Sequence, residues 1–96
     1  MASEELHEIA SARLRTAQQR YTTRRRALVE VLDGADAPLT IPQILALDRG
    51  LAQSSAYRNL AVLEQAGVVH RIVTSDDFAR YELAEDLTEH HHHLIC

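Results

Sequence analysis

Residues 54–67, SSAYRNLAVLEQAG, carry the clearest helical pattern in this 96-residue chain. Successive residues of an α-helix are 100° apart, so Ala56, Leu60 and Leu63 share one side and are expected to face a core. The opposite side is polar or small, and its residues are Ser54, Arg58, Ala61 and Gln65, with Tyr57 at the flank. Ser54 or Ser55 is the expected N-cap, and Gly67 is expected to end the helix.

Three helical segments precede this helix. Each begins at a residue whose side chain can accept a hydrogen bond from the first turn, and the second and third are followed by a glycine as stop signal. The predicted segments are residues 3–19, residues from Thr22 or Thr23 to Gly34, and residues from Thr40 to Gly50, with Pro42 in the first turn of the last.

The segment after Gly67 changes to the pattern of strands. VVHRIVT, residues 68–74, is rich in β-branched residues, SDDF, residues 75–78, is a turn, and ARYEL, residues 79–83, alternates again. Helices followed by one hairpin predict a mainly α fold with a small β-hairpin, the winged helix-turn-helix. The third helix, the turn DRGLAQ and the helix from Ser54 form the helix-turn-helix pair.

Composition and charge restrict the function. The net charge is −4, but residues 10–29 hold six arginines and no acid. Such a local basic strip matters more for nucleic acid than the total, because salt screens each charge beyond about 10 Å. With three glycines there is no phosphate-cradling loop, and no Ser/His/Asp or Cys/His arrangement is present, so an enzyme is not expected.

The single cysteine excludes an internal disulfide and is typical of a reducing compartment. No apolar run approaches the roughly 18 residues of a membrane span. The N-terminus, MASEELHEIA, has acids where a signal peptide has positive charge. These features predict a cytoplasmic protein with no membrane partner.

The polar side of the helix from Ser54 suits the major groove of DNA. Small residues let the helix backbone approach, Arg58 can reach a guanine edge or a phosphate, and Tyr57 a thymine methyl or a phosphate. The same two residues could also be ordinary surface residues. The acidic turn SDDF is not expected to bind phosphate, which leaves DNA binding to the recognition helix and to the basic strip.

Three stretches, SSAYRNLAVLEQAGVVHRI, RYEL and HHHHLIC, resemble the ferric uptake regulator family of metal-sensing repressors. The resemblance implies a winged-helix DNA-binding domain over residues 1–83. Residues 84–96 would be a linker and the His-rich start of a dimerisation domain that lies mostly beyond Cys96. It also implies a homodimer on an A·T-rich palindromic operator, whereas this chain alone is expected to dimerise weakly or not at all.

The resemblance transfers DNA-binding roles residue by residue. Arg20 matches the basic residue that enters the minor groove in relatives, and a narrow minor groove attracts arginine. Arg25 matches an arginine at the start of the second helix, and Arg24 stands where relatives often have proline. The predicted DNA-binding residues are Arg20, Arg24, Arg25, Ser54, Ser55, Tyr57 and Arg58.

Metal-binding roles transfer less completely. Glu82, His91 and His93 match the sensing site of relatives, but Ala37 and Pro38 stand where a histidine is expected, so the site is one ligand short. Cys96 would bind structural zinc only in a longer chain. The expected ion is zinc or iron(II), with manganese or nickel as alternatives, and this chain alone could hold none.

Residues 90–93 offer a second arrangement. In an extended chain the side chains alternate, so His91 and His93 point one way and His90 and His92 the other, which makes the latter pair a candidate second site. A solvated histidine tail that binds metal adventitiously is the alternative. Two other functions also remain open: a winged helix that docks a protein, and a His-rich metal carrier without DNA affinity.

Overall fold

A computed structural model describes residues 3–76 and 78–87. Four helices and three short strands follow one another, and a single 3-10 turn closes the described part. In chain order these elements are α1 (Glu4–Thr16), α2 (Thr23–Asp33), β1 (Leu39–Thr40), α3 (Ile41–Leu47), α4 (Gln53–Gln65), β2 (Val69–Val73), β3 (Ala79–Leu83) and the 3-10 turn Glu85–Leu87.

Side-chain caps start the first three helices where the sequence predicts. The Ser3 hydroxyl accepts from the Leu6 amide at 3.1 Å, and Thr22 caps α2 in the same way. Thr40 and Gln43 form a capping box, because the Gln43 side chain also accepts from the Thr40 amide at 2.8 Å. These local hydrogen bonds satisfy amides that the helices themselves leave without partners.

Helix α4 starts differently from the prediction. It begins at Gln53 with Ala52 as N-cap, and no side chain caps it. The predicted cap at Ser54 or Ser55 is therefore wrong. Leu51 is buried in the core and anchors the turn after α3, and the helix begins two residues beyond it.

Helix α1 ends at Thr16, three residues before the predicted end at residue 19. The Gln18 amide donates to the Arg15 carbonyl at 2.9 Å, and the Gln19 amide to the Leu14 carbonyl at 2.8 Å. These bonds make a Schellman motif, in which Gln18 takes a left-handed conformation with φ 62°. A glutamine gives no stop signal in the sequence, which explains the overestimated length.

The three strands form an antiparallel sheet in the order β1-β3-β2. Strands β2 and β3 are the predicted hairpin, with Arg71 opposite Tyr81. Strand β1 adds Leu39 on the other side of Tyr81. Two residues are too few to show an alternating pattern, so the sequence did not predict β1.

The core is almost entirely aliphatic. Residues from all four helices and from the sheet are fully buried, including the predicted core side of α4. Within the described ranges Tyr81 is the one aromatic residue in this core. The largest fully buried side chains are Leu14, Leu28, Val29, Ile44, Leu60, Leu63, Val68 and Val69.

Residues 84–87, predicted as the start of a linker, pack against the domain instead. Ala84 and Leu87 are buried, and Asp86 forms a two-bond ion pair with Arg13 of α1, at 2.7 and 3.2 Å. The Arg13 guanidinium holds the pKa of the Asp86 carboxyl below its usual value. None of the helices in the described ranges is long and apolar enough to cross a membrane.

Candidate nucleic-acid interface

Helix α4 presents the polar side that its sequence predicts. Ala56, Leu60 and Leu63 are buried, whereas Tyr57 is 55% exposed and Arg58 is exposed. Ser54, Ala61 and Gln65 are exposed too, and Ser55 is partly buried. The outer surface of α4 therefore combines small residues with one tyrosine and one arginine, and a groove of DNA can approach its backbone closely.

Arg25 joins α4 to the α1–α2 connection, residues 17–22. Its Nε donates to Asn59 Oδ1 at 2.8 Å, and its Nη1 donates to the Arg20 carbonyl at 2.9 Å. Asn59 in turn donates to the carbonyl and hydroxyl oxygens of Ser55, at 2.9 and 3.1 Å. This network places the backbone of Arg20 beside α4.

Two of the predicted DNA-binding residues thus have an internal role. The Arg25 side chain bonds to α4 and to the connection, and Ser55 supports Asn59. Direct contact of either residue with DNA stays a prediction. Asn59 was missed in the sequence, although its four-residue spacing from Ser55 places the two on one helix face.

Three arginines near α4 keep their charge available. Arg20, Arg24 and Arg58 are exposed, and none forms an ion pair with another residue of the described ranges. Arg24 has one long hydrogen bond, 3.4 Å, to the Gly50 carbonyl. A phosphate group could bind such guanidinium groups without first displacing a carboxylate.

The wing turn between β2 and β3, described at residues 74–76 and 78, contains a carboxylate that is paired with an arginine. Arg80 donates to both carboxylate oxygens of Asp76, at 3.0 and 3.2 Å, and the Thr74 hydroxyl and the Phe78 amide donate to Asp76 as well. These donors, Arg80 foremost, hold the pKa of Asp76 well below its usual range. The wing arginine is therefore already neutralised by a partner.

An open groove of about 360 Å³ lies between α4, the start of α3 and the wing. Tyr57 lines it from α4, Pro42 from α3 and Phe78 from the wing. Tyr57 and Phe78 are both more than half exposed, at 55% and 58%. The aromatic ring of Tyr57 thus borders both this groove and the polar side of α4.

The predicted metal ligands are only partly covered by the structure. Glu82 is partly buried and lines a pocket of about 200 Å³ together with Ala37 and Pro38, so the segment that lacks the expected histidine does lie beside Glu82. Asp33 and Asp36 line the same pocket and were missed in the sequence. The predicted ligands His90, His91, His92, His93 and Cys96 lie outside the described residues.

The carboxylates of this pocket do not make a metal site by themselves. Among residues 3–76 and 78–87 no three histidine, cysteine, aspartate or glutamate side chains are close enough to share an ion. Oxygen donors alone suit hard ions, whereas zinc and iron(II) favour imidazole. Carboxylates of this pocket therefore supply only part of the ligand set that a transition metal prefers.

Comparison with known proteins agrees with this geometry. The model of the Ferric uptake regulator family matches residues 16–96. The chain belongs to the ferric uptake regulator family. Members of this family are DNA-binding transcription regulators that bind metals, and they are not enzymes.

Two curated relatives carry the name ferric uptake regulation protein. One, from Synechococcus elongatus, is 34% identical over 53 residues, which are 55% of this chain and 35% of that protein. The other, from Rhizobium leguminosarum bv. viciae, is 29% identical over 80 residues, which are 79% of this chain and 55% of that protein. The chain thus spans about half the length of these family members or less.

A solved structure of the ferric uptake regulator from Helicobacter pylori has the same fold over this region. Its TM-score is 0.67 at 28% identity, covering 88% of this chain and 61% of that chain, and it is described as having three functional metal-binding sites. The expected winged-helix fold, and the expectation that the chain is no enzyme, are confirmed by this family membership.

Proposed function

We propose that this chain is the DNA-reading domain of a cytoplasmic, metal-responsive repressor. Helix α4 would lie in the major groove of duplex DNA, with Tyr57 and Arg58 at base edges or phosphates, and Arg20 would enter the adjacent minor groove. The observation that carries the proposal is the pair of hydrogen bonds by which Arg25 joins Asn59 of α4 to the carbonyl of Arg20. The backbone of Arg20 therefore lies beside the helix that carries Tyr57 and Arg58, which supports one surface for both grooves.

The dimensions and charges of this surface fit a duplex. Helix α4 has 13 residues and is therefore about 20 Å long, and B-DNA admits a helix in a major groove about 12 Å wide. Arg20, Arg24 and Arg58 lack ion-pair partners among the described residues, so phosphate can bind them directly. The remaining predicted contacts, Ser54 and Ser55, lie in the first turn of α4, where short side chains approach DNA backbone or base edges.

Metal binding would control this DNA reading in the whole regulator. Glu82, His91 and His93 would hold the sensed ion, His90 and His92 a second one, and Cys96 a structural zinc with ligands from a longer chain. Relatives bind such ions: one solved structure is that of the Pseudomonas aeruginosa regulator with manganese. The position of Glu82 beside Ala37 and Pro38 supports the pocket, and the ion would be zinc or iron(II), with manganese or nickel as alternatives.

Two copies would bind a two-fold operator, because a palindrome mirrors the symmetry of a dimer. The isolated chain offers one recognition helix and therefore about half of the contacts. We expect it to bind an A·T-rich palindromic duplex weakly and with strong salt dependence, since phosphate contacts release counterions.

Fluorescence anisotropy of a labelled A·T-rich duplex, titrated with the chain at several salt concentrations, tests the proposal. Charge reversal at Arg20 or Arg58, as Arg20→Glu or Arg58→Glu, should remove most of the affinity. Arg26→Glu is the matched control: it makes the same charge change within the basic strip, but its guanidinium lies 3.8 Å from Glu4 of α1. An affinity that changes neither with salt nor in Arg20→Glu and Arg58→Glu would overturn the proposal.

Docking of a protein partner is the second candidate, and the exposed aromatic groove favours it. Phe78 and Tyr57 present apolar surface beside a wing turn that is acidic in sequence and whose Asp76 is paired with Arg80. A protein-docking winged helix would lose its partner on Phe78→Ala but be indifferent to Arg20→Glu. The DNA-reading function predicts the reverse order of effects.

A further inference from the structure

His7 of α1 is a buried polar residue that the proposed DNA surface does not use. Only 3% of it is exposed, whereas His70, the other histidine of the described ranges, is exposed. Its Nδ1 lies 2.5 Å from the Tyr21 hydroxyl, and its Nε2 lies 2.8 Å from Glu30 Oε2. His7 therefore joins α1, the α1–α2 connection and α2 in one place.

The chemistry of the three groups sets the direction of these bonds. A carboxylate accepts only, so Nε2 of His7 carries the hydrogen that is donated to Glu30. In the neutral ring Nδ1 then accepts, and the Tyr21 hydroxyl donates to it. Burial raises the pKa of Tyr21 to about 12, so its hydroxyl keeps its proton at neutral pH. Both ring nitrogens of buried His7 thus have a partner, which avoids the cost of an unmade hydrogen bond.

Tyr21 is the residue next to Arg20 in the chain. The Arg20 carbonyl is held on the other side by Nη1 of Arg25, and Thr22, after Tyr21, caps α2. The path of the backbone at Arg20 is therefore defined by two anchors, one from α1 and one from α2. The Tyr21 ring, 5.7 Å from the His7 ring between centroids, also packs against the core.

We propose that His7 and Tyr21 are positioning residues, which hold the α1–α2 connection so that Arg20 points into the minor groove. This role rests on the proposed DNA-reading function. His7 lies before residue 16, the first residue matched by the family model, so family membership does not assign it. His7 belongs to α1, and it would influence DNA binding only through the position of Arg20.

If His7 had a purely structural role, its substitution would have a different effect. The substitution would lower the stability of the fold and leave the DNA affinity of the folded protein unchanged. A positioning role lowers affinity as well, and it does so only while Arg20 is present to be positioned. A double-mutant cycle separates the two, because the effects of coupled residues do not add.

The cycle compares the 96-residue chain with Tyr21→Phe, Arg20→Ala and the double variant, by anisotropy at low salt and well below the melting temperature. Tyr21→Phe removes one hydroxyl and keeps the ring in place. We expect it to weaken binding by roughly threefold to tenfold, the worth of one hydrogen bond, and to have no further effect in the Arg20→Ala background. His7→Leu should behave in the same way.

Val69→Ala is the control for stability, because it removes two methyl groups from a fully buried residue of β2 without touching the connection. Amide hydrogen exchange at Gln18 and Gln19, whose amides donate to the Arg15 and Leu14 carbonyls, gives a readout of the connection that is independent of DNA. These amides should exchange faster in Tyr21→Phe than in Val69→Ala, at matched global stability.

Two results would overturn the positioning role: a Tyr21→Phe affinity equal to that of the unmutated chain, or a loss that persists after Arg20 is removed. A chain that fails to bind the duplex at all contradicts the proposed function instead. Hydrogen exchange then decides whether His7 and Tyr21 hold the connection, and unchanged rates at Gln18 and Gln19 would show that they do not.

Discussion

The α1–α2 connection and the wing turn flank the same helix, α4, yet the structure uses the arginine of each region differently. In the connection, the structure holds the Arg20 backbone, and the guanidinium has no ion-pair partner among the described residues. In the wing, the Arg80 guanidinium donates hydrogen bonds to Asp76 and Thr74. An arginine that is positioned by its backbone keeps its charge for a ligand, whereas one that is positioned by its side chain does not.

The two regions also differ in what lies beneath them. The connection follows Leu14 and leads into the helix of Leu28, both fully buried. The wing exposes 62% of Val73 and 58% of Phe78. A segment supported by the core is held in one conformation by packing, whereas a segment with few buried contacts opens more easily. The contrast predicts that DNA binding depends on the connection more than on the wing.

Stability should show the largest difference between the regions. Leu14→Ala should lower the free energy of unfolding by about 2–5 kcal/mol, because it leaves a cavity in a fully buried site. Val73→Ala, at an exposed site, should stay within about 0.5 kcal/mol. Urea unfolding followed by circular dichroism measures both, and equal losses would contradict the proposed contrast.

DNA affinity should show the next largest difference. Arg20→Ala should cost about 1–3 kcal/mol of binding free energy and make the salt dependence shallower, because a charged groove contact is lost. Arg80→Ala should cost clearly less, since Arg80 is already paired with Asp76. Anisotropy titrations over a salt series compare the two. A greater loss of DNA affinity with Arg80→Ala than with Arg20→Ala would indicate that the wing, and not the connection, contacts the phosphate.

Removing the backbone strain at Gln18, in the connection, should increase the stability of the protein. Gln18 and Gly67 both take left-handed conformations at the ends of helices, with φ 62° and 82°, but only the glycine does so without steric cost. Gln18→Gly should therefore raise the free energy of unfolding by about 0.5–1 kcal/mol. Gly67→Ala should lower it by about 1 kcal/mol, also detected by urea unfolding. A destabilising Gln18→Gly would show that the side chain contributes more than the strain costs.

The smallest effect concerns the pH dependence of the wing. Because Arg80 and Thr74 stabilise the ionised form, the pKa of Asp76 in the folded chain is below its unfolded value of 3.8. The pair's contribution to stability is thus complete above pH 3.8 and is lost as the pH falls through the folded pKa. It should be small, because the pair is exposed. Carbon-13 NMR titration should show a depressed pKa that returns toward 3.8 in Arg80→Ala; an unchanged pKa would contradict the ion pair.

Sequence reasoning succeeded where the signal is local. The caps at Ser3, Thr22 and Thr40 use side chains within three residues of the amides they accept from, and the core side of α4 follows from helical period alone. It failed where tertiary packing sets a boundary. Buried Leu51 moved the start of α4 from the serines to Gln53, and the unexpected left-handed Gln18 ended α1 early.

The candidate site divides in the same way. The sequence predicted Tyr57, Arg58 and Arg20 as DNA-binding residues, and all three are exposed. It could not identify the supports, because Asn59 lies 34 positions from Arg25 and His7 lies 14 from Tyr21. Helix and strand periodicity relates residues only a few positions apart, so it cannot predict contacts between residues this distant in the sequence.

The amino-acid sequence by itself determined the order of helices and hairpin, the apolar side of each helix and the residue types on the exposed side of α4, because periodicity, capping and residue type act within a few positions. Only the tertiary structure decided that Arg20 lies beside α4, that Arg25 and His7 hold the connection, and that the wing arginine is neutralised. Those outcomes depend on which distant groups meet when the aliphatic core closes, and burial then requires each polar group at the contact to find a partner.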